Sequence, residues 1–494
     1  MLAALGVGLA ATGWERAANA ALGAVPRHVA RQMERWPALG LQIATPAPGA
    51  VPEVDLRRDF GAAGDGVEND ASAFFALADA VNTGGVAPGS VVHLPPGRYR
   101  VLGNDPVVFR RPVVIRGAGT AATTIQLEYS AQRSTFLRAL GQGMYVAHST
   151  GLYSSRQDQN RYPNAPFSPV QGSPRRGDTR ITVLQPNLFV PGDQVYLLCD
   201  DYGPEVVYSP TNRRWQHFLL KQHASITAVE GDEVLLDAPL RHDFGGGAPR
   251  LYRWQPVVGF GIEHLTIDDA STIPDTEETN TFQAVQLEGA LDGWVWDVHF
   301  INNTSTPLRV GRSRQVAVSE CLFRGARHVG GGGNGYLPEI YFSDDCLVEY
   351  STSVEGRHAL ICNWSCWGNA FRYNRVVGTP NTETHGEYSV ENLYLRNDCR
   401  AARMEIGGGG IQVHAHDGPF NELAENYARL FQVLKAHDRE NRLMANWHVE
   451  PIVDRGVGTV QERNRPMAQG WDEFPFSEFC GHDHRRTADA ARPA

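Results

Sequence analysis

The dipeptide Arg-His occurs in "CLFRGARHVG" as Arg327-His328 and again, thirty residues later, in "YSTSVEGRHALI" as Arg357-His358. A guanidinium reads a carboxylate through paired N–H donors, and an imidazole exchanges a proton near neutral pH. Together they suit proton chemistry beside an anionic group. The loop "NTETHGEYSVEN" gathers Glu383, His385, Glu387 and Tyr388 around Gly386, and "HAHDGP" gathers His414, His416 and Asp417 after four glycines. Glu339 and Glu405 add carboxyls that could form an acid–base pair with Glu387 or Asp417. His and Asp can ligate a metal, but Asp417-Gly418-Pro419 reads as a turn. Neither glycine run precedes Lys-Ser/Thr, so a phosphate loop is not indicated.

These residues are spaced along a repeat. The units "VWDVHF", "VSECLF", "VEYSTS", "FRYNRV", "YLRNDC", "LAENYA" and "LMANWH" place Val298, Cys321, Ser351, Asn374, Asn397, Asn426 and Asn446 at one position, in steps of 23, 30, 23, 23, 29 and 20 residues. A rung of that length holds three short strands and their turns, and buries its inward side chains only against neighbouring rungs. The asparagines are expected to stack at a bend, adopting the left-handed conformation and bonding rung to rung. Arg327, Arg357 and Arg403 each follow the repeat position by six residues. They should form a column facing solvent and an anionic ligand, broken by Pro380, with one or both of His328 and His358 packed inward.

Residues 140–256 differ, with strand–turn–strand pieces such as "ITAVEGDEVLLDAPL", and read as a β-rich insertion or as elaborated rungs. "NDASAFFALADAV" reads as a helix N-capped by Asp70 with Phe74, Phe75, Leu77, Ala78 and Val81 on one face, suited to cap the end of a solenoid. Residues 1–50 contain a short apolar run and Ala18-Asn19-Ala20, a leader-like segment implying a secreted or periplasmic protein. Residues 51–473 form the coil, and 474–494 lack periodicity and read as a disordered tail. The chain of 494 residues has a net charge of −10, which argues against nucleic acid, and no apolar run long enough to span a membrane. Its only lysines are Lys221 and Lys435, so a lysine base is not expected. The seven cysteines fit no zinc spacing and read as small buried hydrophobes.

Asp59-Phe60-Gly61-Ala62, Gly64-Asp65-Gly66, Asp70 and Leu94-Pro95-Pro96-Gly97-Arg98-Tyr99 resemble the opening of the pectate-lyase-like superfamily, D-F/Y-G-A-x-G-D-G-x-x-D-D followed by L-P-P-G-x-Y; Asn69 departs from the usual acidic residue. The resemblance covers about fifty residues. It implies an all-β right-handed parallel β-helix with an N-terminal capping helix, and a carbohydrate-active protein with a polysaccharide partner. On that basis the first expectation is β-elimination of a uronate-containing glycan. Arg357 would neutralise the carboxylate, His385 or His358 would be the base, Tyr388 the acid and Glu387 a further catalytic group. Arg327, His328, Glu339, Arg403, Glu405, His416 and Asp417 would bind substrate. The rivals are a glycoside hydrolase or glycan-transferring enzyme using paired carboxylates, and a non-catalytic, tailspike-like glycan binder. No cofactor is required, Ca2+ being the ion such a site could accept, and the oligomeric state is left open.

Overall fold

In a computed structural model, residues 32–47, 49–130, 135–141, 165–199, 220–245, 247–273, 283–330, 333–408 and 414–467 are described. The cleavage-like Ala18–Ala20 and the 474–494 tail lie outside them. The main body is a right-handed parallel β-helix, a continuous parallel sheet wound from short strands that pair with the strand one turn later. Ala317–Ser319 pairs with Leu347–Glu349, then Ala370–Arg372, Leu393–Leu395, Glu422–Ala424 and Arg442–Met444, all in parallel register. A second column and a third complete each turn. The third holds Thr306–Gly311, Tyr336–Tyr341, His358–Asn363, Asn381–Thr384 and the end of Asp398–Ile406. Alternate residues point into the coil, where Val318, Val348, Phe371, Tyr394, Leu423 and Leu443 form one core, with the Phe371 and Tyr394 rings stacked 4.6 Å apart.

The asparagine stack is present and extends one step further than expected. Asn397 N donates to Asn426 Oδ1 (2.9 Å) and its Nδ2 donates to Phe371 O (3.0 Å) and Asn426 Oδ1 (2.9 Å), while its Oδ1 accepts from Asn374. The pattern runs through Asn446 to Asn464. The left-handed backbone, however, belongs to the residue before each asparagine: Tyr373, Arg396, Glu425, Ala445 and Arg463, with φ between 53° and 57°. The asparagine supplies the amide that ties rungs together, and its neighbour takes the strained conformation. A second stack, Asn369, Asn392, Asn421 and Asn441, runs alongside. Asp417 belongs to a third, accepting from Ser389 N (3.1 Å) and donating its own N–H to Asp438 Oδ1 (2.8 Å).

Helix Ala71–Thr83 caps the coil through Phe74, Leu77, Ala78 and Val81, with Phe74 edge-on to Tyr99 and Phe136, whereas Phe75 faces solvent. Asp70 does not cap it. Its buried carboxylate accepts instead from Ala63 N (2.6 Å) and Gly64 N (3.2 Å), and Asn69 Oδ1 takes the Ala71 N–H. The two glycine motifs serve one contact: Arg57 Nη2 bonds Gly64 O and Pro96 O, and a Cβ at Gly64 or Gly97 would strike that guanidinium.

Strands between Phe167 and Trp254 close into a six-stranded antiparallel barrel, not coil rungs, after which Gly261–Asp269 resumes the coil. The barrel's apolar interior continues into Trp367, Tyr388 and Val390 of the coil. Buried contacts fix the junction: Lys221 pairs with Asp344, which the neutral His223 ring also hydrogen-bonds, and Arg241 pairs with Asp345 and Glu391. Residues 36–43, within the expected leader segment, are a strap on the first column of strands. Trp36, Ala38 and Leu39 pack on Leu347, Ala370, Leu393 and Met444, and Trp36 Nε1 donates to Glu391 O.

Candidate active site

The outer side of the third column is where titratable groups converge. The register sets Tyr336, His358, Asn381 and Arg403 in one vertical row, and Glu383 beside Glu405 in the next. Leu337, Ala359 and Met404, between the rows, point into the core. His358 therefore faces outward from the coil, contrary to the expected inward packing, yet it is 7% exposed because neighbouring side chains enclose it.

Glu383 and Asn381 organise both histidines. Glu383 Oε1 meets His385 Nδ1 and lies 3.2 Å from His358 Nδ1, while Asn381 Oδ1 meets His358 Nδ1 directly. The Asn381 orientation follows from its amide nitrogen, which donates to Glu383 Oε2 (2.9 Å) and Glu405 Oε2 (3.0 Å). Acceptors at both Nδ1 atoms place the ring protons there and the lone pairs on Nε2. His385 Nε2 faces the Tyr336 hydroxyl at 3.5 Å. His358 Nε2 is buried and has no hydrogen-bond partner. Burial pulls His358 down to about 4 despite Glu383, and burial with nearby His414 and Lys435 holds His385 well below the usual imidazole range, so both rings are neutral. Burial, reinforced by Glu383, pushes Glu405 up to about 7, and burial raises the Tyr336 phenol.

The expected arginine column does not form. Tyr336 opens its strand ten residues after Ala326, whereas His358 opens the corresponding strand of the next rung only four after Val354, and an irregularity between Cys399 and Arg403 also breaks equal counting from the asparagine. Arg327 turns away to bond Asp269 O, Asn302 O, Ser271 O and Thr304 Oγ1, bordering a separate cavity of about 460 Å³ with Asp268 and Glu355. Its neighbour His328 is buried in that turn. Arg357 does reach the site, lying 5.9 Å above the Tyr336 ring and donating to Gly330 O. Arg403 shares the His358 row and pairs with Glu405 at 3.2 Å.

Several expected site residues point elsewhere. The Tyr388 hydroxyl bonds His242 Nε2 (2.7 Å) at the barrel junction, too committed there to serve as the acid. Glu387 is fully buried, accepting from Ala415 N and lying 3.4 Å from His414 Nδ1. His416 packs beside Tyr388, and Asp417 is sealed in its stack, accepting also from Gly407 N and Thr384 Oγ1, so neither lines a groove. Glu339 is buried against Arg309 and Asn363. Sequence reasoning missed Tyr336 and Asn381, and dismissed Lys435, whose Nζ bonds Gly408 O and Ala415 O behind His385. The alternation Asn381, Glu383, His385 was the available signal, since residues two apart on a strand share a face.

His358, Glu383 and His385 have donor atoms within 4.8 Å of one another, a set able to hold a transition metal better than Ca2+, which prefers oxygen. Hydrogen bonds among these groups already engage Glu383, and no ligand role is assigned. The six described cysteines are buried free thiols.

A family profile described as rhamnogalacturonase A/epimerase, pectate lyase-like, matches residues 56–153. Mannuronan C5-epimerase AlgE6 of Azotobacter vinelandii is 43% identical over 84 residues, 16% of this chain and 9% of that protein. Alginate lyase 7 of the same organism is 41% identical over 75 residues, 14% of this chain and 8% of that protein. The chain thus matches under a tenth of the length of these curated relatives. Among solved structures, the Gp54 tailspike of Acinetobacter baumannii bacteriophage AP22, in complex with A. baumannii capsular saccharide, aligns with a TM-score of 0.50 at 10% identity, over 84% of this chain and 66% of that one. That likeness concerns the fold. With the glycine motifs and the three-column coil, these matches make the chain similar to the pectate-lyase-like superfamily of right-handed parallel β-helix proteins, a likeness carried in sequence by residues 56–153.

Proposed function

We propose that this protein cleaves an anionic, uronate-containing polysaccharide by β-elimination, with His358 as the base. The observation that carries the reading is the buried, partnerless Nε2 lone pair of a neutral imidazole whose other nitrogen is held by Asn381 and Glu383. Such a group is poised to take a proton and has no competing protein donor. The C5 proton passes to His358 Nε2, and Arg357, on the same turn, balances the charge that builds on the carboxylate. The C4–O bond then breaks as the C4=C5 double bond forms, and the Tyr336 phenol protonates the departing oxygen. Solvent restores the Tyr336 proton and removes that of His358. The mannuronan epimerase and alginate lyase relatives support a uronate polymer, and a polymer of that kind together with the leader-like N-terminus supports action outside the cytoplasm.

Glu383 and Glu405 are the carboxyl pair a hydrolase would need, but both bond the same Asn381 amide and they hydrogen-bond each other, an arrangement unlike two separated carboxyls flanking a glycosidic bond. Incubation with mannuronate, guluronate and galacturonate polymers in deuterated water tests the proposal. The expected product carries the ultraviolet absorbance of an unsaturated uronate, and His358→Gln abolishes it. New reducing ends without that absorbance would identify a hydrolase. Deuterium at C5 without chain cleavage would identify an epimerase, and binding without turnover a lectin-like protein.

A further inference from the structure

The row next to His358 continues toward the N-terminal end of the coil, where it contains Arg309, Gln286 and Arg138 at equivalent positions on successive turns. Arg309 is neutralised by Glu339, and Glu288, a carboxylate that acts on Arg138 through space, is held by Arg312. Arg138 itself is half-buried and makes no hydrogen bond or ion pair among the described residues, with its Nε shut away from water. Burial disfavours its charge, Glu288 offsets this only in part and without a direct bond, and Arg309 and Arg110 add repulsion. An enclosed guanidinium with two cations nearby, whose one influencing carboxylate is bonded to Arg312 and Gln286 instead, is unfavourable in a protein free of ligand. A charge kept at such a cost has a use when a partner of opposite sign arrives.

We propose that Arg138 is a carboxylate-binding subsite for a distant uronate of the same glycan, which lies along the third column parallel to the coil axis. This rests on the uronate reading of the site above. Tyr336, Thr306, Gln283 and Thr135 descend one turn at a time from His358 to the Arg138 strand. That is four turns, about 19 Å at the interstrand spacing of ~4.8 Å. A pyranose repeat is close to one turn, so the contact is available only to chains of roughly five or more sugars.

Calorimetric binding of uronate trimers and hexamers to the full chain and to Arg138→Gln tests this without requiring turnover. The intact protein should bind the hexamer at least about tenfold more tightly than the trimer, and Arg138→Gln should remove that advantage while leaving trimer affinity unchanged. A neutral hexamer with its carboxyls reduced should show no difference between the two proteins. The melting temperature of Arg138→Gln should match or exceed that of the parent, since a charge without a partner is removed. Equal hexamer affinity in both proteins, or a marked loss of thermal stability, would overturn the assignment. Length-dependent binding lost in Arg138→Gln, in a protein that forms no unsaturated product, would keep the subsite and discard the elimination.

Discussion

Two polar regions of this coil use similar residues under similar burial to opposite ends. In the Asn374–Asn464 stack, Asn397 spends its backbone N–H, its amide nitrogen and its amide oxygen on protein partners. On the outer third column, Asn381 is spent as fully, but it orients His358, whose Nε2 is left without a partner. Buried polar groups are normally satisfied, so a stack that balances reads as scaffold and one that does not reads as a place where something else binds. Glu405 makes the same contrast against Asp417: both are buried carboxyls, but Asp417 is surrounded by donors from its own stack while Glu405 sits against another carboxyl.

The sharpest way to break this comparison is at its unbalanced atom. His358→Ala should lower turnover on the identified polymer by about 10²–10⁴-fold while circular dichroism and melting stay close to those of the parent. Turnover within a factor of a few of the parent would return His358 to the scaffold. Glu405 should produce the next largest effect. Its folded-state value, raised to about 7, means the folded protein holds a proton that the unfolded chain gives up near its ordinary 4.5. The associated stability is complete at lower pH and is lost as pH rises through about 7, amounting to up to about 3 kcal/mol. Melting curves between these limits should slope downward for the parent and flatten for Glu405→Gln. A parent protein whose stability rises over that interval would contradict the Glu383–Glu405 pairing. In the balanced stack, Asn397→Ala should cost about 1–3 kcal/mol by stranding bonded backbone groups, with kcat per folded molecule unchanged. A fall in kcat at full folding would show that stack and site are not separable.

The coil was legible because its repeat is local: four asparagines in register and a glycine motif can be seen without coordinates. The parallel stack Asn369, Asn392, Asn421 and Asn441 was equally available, each residue lying five before its counterpart, and only the emphasis on flanking apolar positions hid it. The site was half legible. Arg357, His358, His385, Arg403 and Glu405 do converge, because alternation and rung spacing brought them near one another. Arg327 misled because counting from the bend ignores a loop that is longer in one rung than in the next. Tyr388 misled for a different reason: its partner His242 is 146 residues earlier, in a barrel whose docking no local pattern announces. The left-handed residues were assigned to asparagine by propensity, whereas stacking requires the amide one place later.

The strap at residues 36–43 bears on how the molecule comes apart and how it is made. A solenoid couples each repeat only to its neighbours, so it can fray from an end in stages. Here Trp36 reaches Glu391, Arg372 holds Leu39 O, and Leu41 and Ile43 lie with Val91, Val114 and Trp294 near the other end. One short ribbon thus bridges turns that never touch, which makes distant repeats share a single transition. It also leaves the strap, made before the strands it docks on, waiting without its docking surface until the chain has been made past Met444.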